Sequence, residues 1–149
     1  MRYAYLSLVA VVALGASGCA PRTFMRQAPG WKAIELHEGL SGDYDAAWHK
    51  TVDTITKSWD IEMLDKDSGY IRTAWLHGIS GGDYVRYRGR LTVKYPDVRD
   101  PTMLEVRTQA QWLENPGRGI WITGVDTNYE RNVYTALAGR LGRTVPSER

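Results

Sequence analysis

The only cysteine of the chain, Cys19, is the residue whose position most plainly suggests a chemical modification. It directly follows three small residues, Ala16-Ser17-Gly18, and before these lies a largely apolar run from Ala4 to Leu14 with Arg2 ahead of it. A positive residue, a short apolar segment and small residues form the order of a secretory signal peptide. The run is shorter than the ~20 apolar residues that a membrane-spanning helix requires. We therefore predict that residues 1–18 direct export and are then removed.

The sequence Ala-Ser-Gly-Cys resembles the lipobox of bacterial lipoproteins. The resemblance implies that the signal is cleaved just before Cys19 and that the Cys19 thiol carries diacylglycerol. Ala16 stands where the pattern usually has leucine, so ordinary cleavage after Gly18 or Ala20 stays open. A lone thiol in an exported protein needs an explanation. A thioether bond to lipid would explain it. The alternative is an unreactive buried cysteine, but residues next to a signal-cleavage site have no protein core around them in which to be buried.

The residue after the cysteine suggests which membrane holds the protein. Gram-negative lipoproteins retained in the inner membrane usually have aspartate there, and this chain has Ala20. The resemblance therefore implies a lipid-anchored protein on the periplasmic face of the outer membrane, although the inner membrane stays open. The membrane, reached through the lipid on Cys19, is the first expected partner.

Composition limits the remaining possibilities. Residues 1–18 hold one of the 19 basic residues and none of the 17 acidic ones, so the 131 residues left carry a net charge of +1. Such a balance creates no overall field that would attract nucleic acid. The length predicts one domain with a core of its own. Six Trp and nine Tyr against one Phe supply large side chains with a polar atom, which suit half-buried sheet faces and interfaces.

The patterns of catalytic and metal sites do not occur in this sequence. His37, His49 and His77 are too far apart in the chain for a helical zinc pair. The stretch 65–69 has the composition of a calcium loop but places Tyr70 where that loop needs glycine. The serines lack a nucleophile elbow, and the glycine-rich stretch 78–82 lacks the P-loop lysine. We expect no catalytic residue, no metal and no cofactor.

Periodicity divides the chain into segments. Residues 19–30 have two prolines and no period, which predicts a lipidated tether. Residues 31–142 show the periods of a folded α+β domain, and residues 143–149 remain as a C-terminal tail. The predicted strands are 31–37, 61–64, 70–76, 85–94, 104–112 and 120–122, and the predicted helices follow Asp43 or Ser41 and Thr127. Ile71, Thr73 and Trp75 are predicted on one face of their strand, and Thr127 with Glu130 has the spacing of a capping box.

This order of elements predicts an α+β fold in which an antiparallel sheet of about five strands has two helices packed on one face. The other face should be open to solvent. A Trp-containing helix followed by Gly69-Tyr70-Ile71-Arg72-Thr73 resembles the helix-grip domains of envelope lipoproteins, in particular the BamC family of accessory lipoproteins of the outer-membrane β-barrel assembly machinery. That family has two such domains and a long N-terminal partner-binding segment, so its partner does not transfer to this chain.

A basic row on the sheet is the candidate binding surface. Arg86, Arg88 and Arg90 alternate with apolar residues, so their side chains should emerge from one face about 6.7 Å apart. Guanidinium groups at that spacing suit phosphates or carboxylates, and Tyr84 flanks the row as an aromatic anchor. The alternative is a solvated face whose arginines pair with Glu105.

Two classes of function follow from these patterns. The first is a non-catalytic lipoprotein that acts as an accessory or adaptor in assembling or anchoring an envelope protein complex. The second is a binding module whose basic sheet face recognises an anionic envelope ligand, either lipid phosphate or a cell-wall polymer. A hydrolase is a third and weaker interpretation.

Overall fold

The computed structural model describes residues 20–142, so the predicted signal peptide, Cys19 and the tail 143–149 lie outside the described residues. The two helices are α1 (Tyr44–Thr56) and α2 (Thr127–Leu141). The eight strands are β1 (Phe24–Met25), β2 (Lys32–Glu35), β3 (Ile61–Asp65), β4 (Tyr70–Thr73), β5 (Leu76–His77), β6 (Tyr87–Lys94), β7 (Met103–Asn115) and β8 (Ile120–Asp126).

All eight strands belong to one antiparallel sheet built around the long strand β7. The main path runs β1-β8-β7-β6-β4-β3. Strand β6 pairs with one side of β7 from Tyr87 opposite Trp112 to Lys94 opposite Glu105. On its other side, β7 pairs with β8 near one end and with β2 near the other. This arrangement makes β6 and β7 the centre of the sheet, where the period of two is strongest.

Both helices bury their apolar stripes in the core that covers one face of the sheet. Asp43 caps the start of α1, and its carboxylate accepts the Ala46 N–H at 3.0 Å. The inward residues of the helices and of the central strands belong to one cluster: Ala47, Trp48, Ile55, Leu91, Val93, Leu104, Val106, Val133, Leu137 and Leu141. The predicted α+β class, with an antiparallel sheet and two helices, is confirmed.

The predicted number of about five strands is wrong, because the sheet has eight. Strands β1 and β5 are two residues long each. A two-residue strand cannot display a period in the sequence, since alternation becomes visible only over about four residues. Both are held by the backbone of a longer neighbour, β1 by β8 and β5 by β6.

The start of α2 differs from the sequence prediction by one residue. Asp126, not Thr127, is the N-cap residue, and its carboxylate accepts the Tyr129 N–H at 2.6 Å. The carboxylate of an aspartate at this position satisfies a backbone donor that the first turn of the helix leaves without a partner.

The stretch before β2 also differs from the sequence prediction. The sequence predicts a tether over residues 19–30, yet within it Phe24 and Met25 pair with Asp126 and Val125 of β8. Part of the predicted tether is therefore attached to the edge of the sheet.

Candidate functional site

The face of the sheet that points away from the helices carries alternating residues of β6 and β7. Arg88 lies opposite Gln111 and Arg90 opposite Gln109 in the strand register. The Nε and Nη2 atoms of Arg88 donate to Oε1 of Gln111 at 3.0 and 2.8 Å, and Nε of Arg90 donates to Oε1 of Gln109 at 2.7 Å. The partners on β7 are neutral amides, so the bonds orient both guanidinium groups without neutralising them.

Two tryptophans enclose Arg88. Its guanidinium carbon lies 3.9 Å from the ring centroid of Trp121 and 4.6 Å from that of Trp75. Trp75 also receives Arg90, whose guanidinium carbon is 4.4 Å from the same centroid. These contacts join Trp121, Arg88, Trp75 and Arg90 into one cluster, which we call the Trp–Arg stack. Cation–π contacts of this kind strengthen when the cation is partly withdrawn from water.

A second aromatic contact lies further along the same face. Trp31 covers both Arg107, at 4.5 Å between guanidinium carbon and ring centroid, and Lys94, at 4.8 Å from its Nζ. Beneath this layer, Arg107 is opposite Thr92 in the register. Nε of Arg107 and Oγ1 of Thr92 are buried, and neither has a hydrogen-bond partner among residues 20–142. Each of these buried polar atoms would be stabilised by a hydrogen bond to a polar ligand atom or water.

The two carboxylates near this face, Glu62 and Glu105, form their shortest ion pairs with cations other than Arg88 and Arg90. Glu62 accepts from Nε of Arg72 at 2.8 Å and lies 3.8 Å from Nη1 of Arg90. Glu105 pairs with Lys94 at 3.0 Å. The alternative in which the arginine row pairs with Glu105 does not fit this register, because Glu105 lies opposite Lys94.

The close packing of cations affects their protonation. Burial lowers the pKa of Arg88, and the neighbouring charge of Arg90 lowers it further. Burial also lowers the pKa of Arg90, with the charge of Arg72 next in effect. Both groups stay protonated at neutral pH because the pKa of an arginine starts above 12. A neighbouring cation is the second cause of each shift, so an anion at this face would relieve that part of it.

The structure brings together only part of the predicted row. Arg88 and Arg90 share the stack, whereas Arg86 precedes β6 and its carbonyl accepts the Leu113 N–H at 2.8 Å. Tyr84 is 72% exposed in the loop before β6, and its ring centroid is 5.5 Å from that of His77. Cys19 lies outside the described residues.

The tryptophans of this face are functional candidates that the sequence does not reveal. The sequence predicts Trp75 on the same face as Ile71 and Thr73, and that prediction is wrong. Strand β4 ends at Thr73, and the chain after it turns so that Trp75 reaches the arginines on the opposite face. Arg107 could have been recognised from the sequence as a candidate for this face. Its position in the alternation of β7 places it on the same face as Arg90 once β6 and β7 are paired.

Other kinds of site have little support within residues 20–142. No group of three His, Cys, Asp or Glu residues there is arranged to hold a metal. The same residues include no helix long and apolar enough to cross a membrane. A cleft of about 240 Å³ lies between the end of α1 and the chain after β4, lined by Lys57, Trp59, Asp60 and Trp75 among others.

Comparison of the sequence with protein-family models gives no match, and comparison with curated proteins gives none.

Proposed function

We propose that this protein is a non-catalytic, lipid-anchored adaptor of the outer membrane, which holds an envelope protein complex through the open face of its sheet. In this proposal Cys19 carries the lipid, the domain is of the helix-grip type seen in the BamC family, and the periplasm surrounds it. The Trp–Arg stack of Trp121, Arg88, Trp75 and Arg90 is the surface that contacts the partner.

The Trp–Arg stack is the observation that supports this function. Tryptophan and arginine are the residues most enriched among those that carry the binding energy of protein interfaces. Here the rings and the Gln109 and Gln111 amides hold the guanidinium groups in place before any partner arrives. Side chains ordered in advance lose less conformational entropy on binding. A partner surface rich in carboxylates would complement the unneutralised charge of Arg88.

The test is recovery of partners from the bacterial envelope by affinity purification after cross-linking. We expect the double variant Arg88→Gln, Arg90→Gln to lose the partners that the unchanged protein recovers. Glutamine keeps part of the stem that covers Trp75 while it removes the charge. The thermal unfolding midpoint of the purified variant checks that the domain still folds.

The matched control removes two positive charges from the helical side of the molecule. Lys50 on α1 and Arg131 on α2 are both exposed, so Lys50→Gln with Arg131→Gln changes net charge equally. This control should recover the same partners as the unchanged protein. Equal recovery by both double variants would rule out the Trp–Arg stack as the contact surface.

A second candidate function is binding of an anionic envelope ligand, either lipid phosphate or a cell-wall polymer, on the same face. The buried atoms of Thr92 and Arg107 that lack partners within residues 20–142 favour it, because each would gain a hydrogen bond by donating to a ligand oxygen. Salt-sensitive binding of the purified domain to isolated cell-wall material or to phospholipid vesicles, lost in Arg107→Gln, would support this function. A stable complex that survives high salt and contains protein alone would favour the adaptor.

The lipid anchor has its own test. Cys19→Ser should release the protein from the membrane fraction, because the acyl chains supply the attachment, at about 0.8 kcal/mol for each buried methylene. The intact mass of the unchanged mature protein should equal residues 19–149 plus the lipid. A mass equal to that of an unmodified chain beginning at Ala20 or later would show ordinary signal cleavage without lipidation.

A further inference from the structure

The segment that follows the lipidation site is fastened to the domain by a buried carboxylate. Asp126 is fully buried. One of its oxygens accepts from the hydroxyls of Thr23 and Tyr87. The other accepts from the Ser80 hydroxyl and from the Tyr129 N–H, each at 2.6 Å. We call this set of contacts the Asp126 clasp, and it joins the N-terminal segment to a loop, a central strand and the start of α2.

Backbone contacts fasten the same segment at further points. The Thr127 N–H donates to the Thr23 carbonyl at 3.0 Å, and within the segment the Phe24 N–H closes a turn by donating to the Pro21 carbonyl at 2.9 Å. The ring of Phe24 meets that of Tyr87 edge to face, with centroids 5.9 Å apart. The segment is therefore folded against the domain and cannot act as a free tether.

The free chain between the lipid and the domain is consequently very short. Pro21 is already partly buried and closes the turn to Phe24. The Cα atoms of Cys19 and Pro21 are two residues apart and can be separated by at most ~7 Å. The tether expected from the sequence, 19–30, would have reached ~38 Å when extended.

From this geometry we infer that the domain rests directly on the phospholipid headgroups, with the edge formed by β1 and the start of α2 against them. The inference depends on the lipid at Cys19 that the proposed function assigns. Each headgroup layer is about 5–8 Å deep, so a reach of ~7 Å leaves no water-filled gap beneath this edge. Arg22 is exposed in the segment that leads into β1, and its charge suits anionic headgroups.

The test measures how close two positions lie to the headgroups when the full lipidated protein is in vesicles of phosphatidylethanolamine and phosphatidylglycerol. Asn128→Cys places a thiol at the start of α2, and Ser68→Cys places one in the turn between β3 and β4 at the opposite edge of the sheet. Each thiol carries a fluorophore, and a nitroxide on the lipid headgroup is the quencher. We expect several-fold stronger quenching at position 128 than at position 68.

A second variant separates the short tether from other causes of contact. Insertion of about ten glycine and serine residues between Ala20 and Pro21 leaves the Asp126 clasp intact but adds a flexible span of ~17 Å. Quenching at position 128 should then fall to the level at position 68. Equal quenching at the two positions without the insertion would overturn the inference, as would quenching at position 128 that the insertion does not change.

The mass of the protein distinguishes the two possible failures. A lipidated mass with equal quenching overturns the position on the headgroups and leaves the proposed anchor standing. A mass without diacylglycerol overturns the anchor, and the inferred position with it.

Discussion

The hydroxyl of Tyr87 donates to a carboxylate oxygen of Asp126 at 2.6 Å, and both residues are fully buried. Burial opposes the ionisation of Asp126, but hydrogen bonds from Ser80, Thr23, Tyr87 and the Tyr129 N–H outweigh it and lower its pKa. Burial and the same carboxylate raise the pKa of Tyr87. The pair is therefore a neutral phenol that donates to an ionised acid.

This pair predicts a stability that depends on pH. The folded-state pKa of Asp126 lies below the ordinary value of about 3.9, so its ionised contribution is fully present above that value and is lost as pH falls through the folded-state pKa. Asp126→Asn should lower the free energy of unfolding by about 1.5–3 kcal/mol at neutral pH. Urea unfolding of both proteins should show this difference shrinking below about pH 4. A difference that stays constant would contradict an ionised Asp126.

Trp48 is predicted to be essential to the core. It is 4% exposed, and its ring packs against those of Tyr44 and Tyr95, with centroids 5.8 and 6.3 Å away. Trp48→Ala should lower the free energy of unfolding by about 3–5 kcal/mol, measured by urea unfolding. Lys50→Ala, two residues on and exposed, should change it by less than about 0.5 kcal/mol.

The central strands and the helices could be predicted because their residues repeat over a long enough span. Tyr87, Leu91 and Val93 alternate with charged or polar residues on β6, and Trp48 and Ile55 lie seven apart on α1. Burial of one face imposes these periods, so they are visible in the sequence.

The residues of the Trp–Arg stack and the Asp126 clasp could not be predicted in the same way. Trp75 lies just past the end of β4, where the alternation stops, and its face depends on the turn of the backbone. Thr23 and Asp126 are 103 residues apart and meet only after β1 pairs with β8. Contacts of this kind depend on tertiary structure and leave no local period.

The Trp–Arg stack is predicted to contribute to folding as well as to binding. Arg88 lies over two rings and is half-buried, so its contacts should be stronger than those of an exposed cation. Arg88→Met keeps an apolar stem and removes the charge, and it should lower the free energy of unfolding by about 1–2 kcal/mol. Arg131→Met, at an exposed position of α2, is the control and should change it by less than about 0.5 kcal/mol. Equal urea midpoints for the two variants would show that the stack adds no stability.

Gly124 is predicted to be required for the attachment of β1. A Cβ atom built at Gly124 would collide with the Met25 carbonyl oxygen and would lie 2.8 Å from the ring of Phe24. Gly124→Ala should therefore push β1 off the sheet edge, at a cost of about 1–3 kcal/mol in the free energy of unfolding. Trypsin should then cleave faster after Arg22 and Arg26.

Gly139 provides the matched control for this substitution. A Cβ atom there would meet no other atom within 4 Å, and the residue is exposed on α2. Gly139→Ala should raise the free energy of unfolding by about 0.5–1 kcal/mol, because alanine restricts the unfolded chain and favours the helix. Its rate of cleavage after Arg22 should match that of the unchanged protein. If Gly124→Ala also left that rate unchanged, the close approach of β1 to Gly124 would not be what holds the N-terminal segment on the domain.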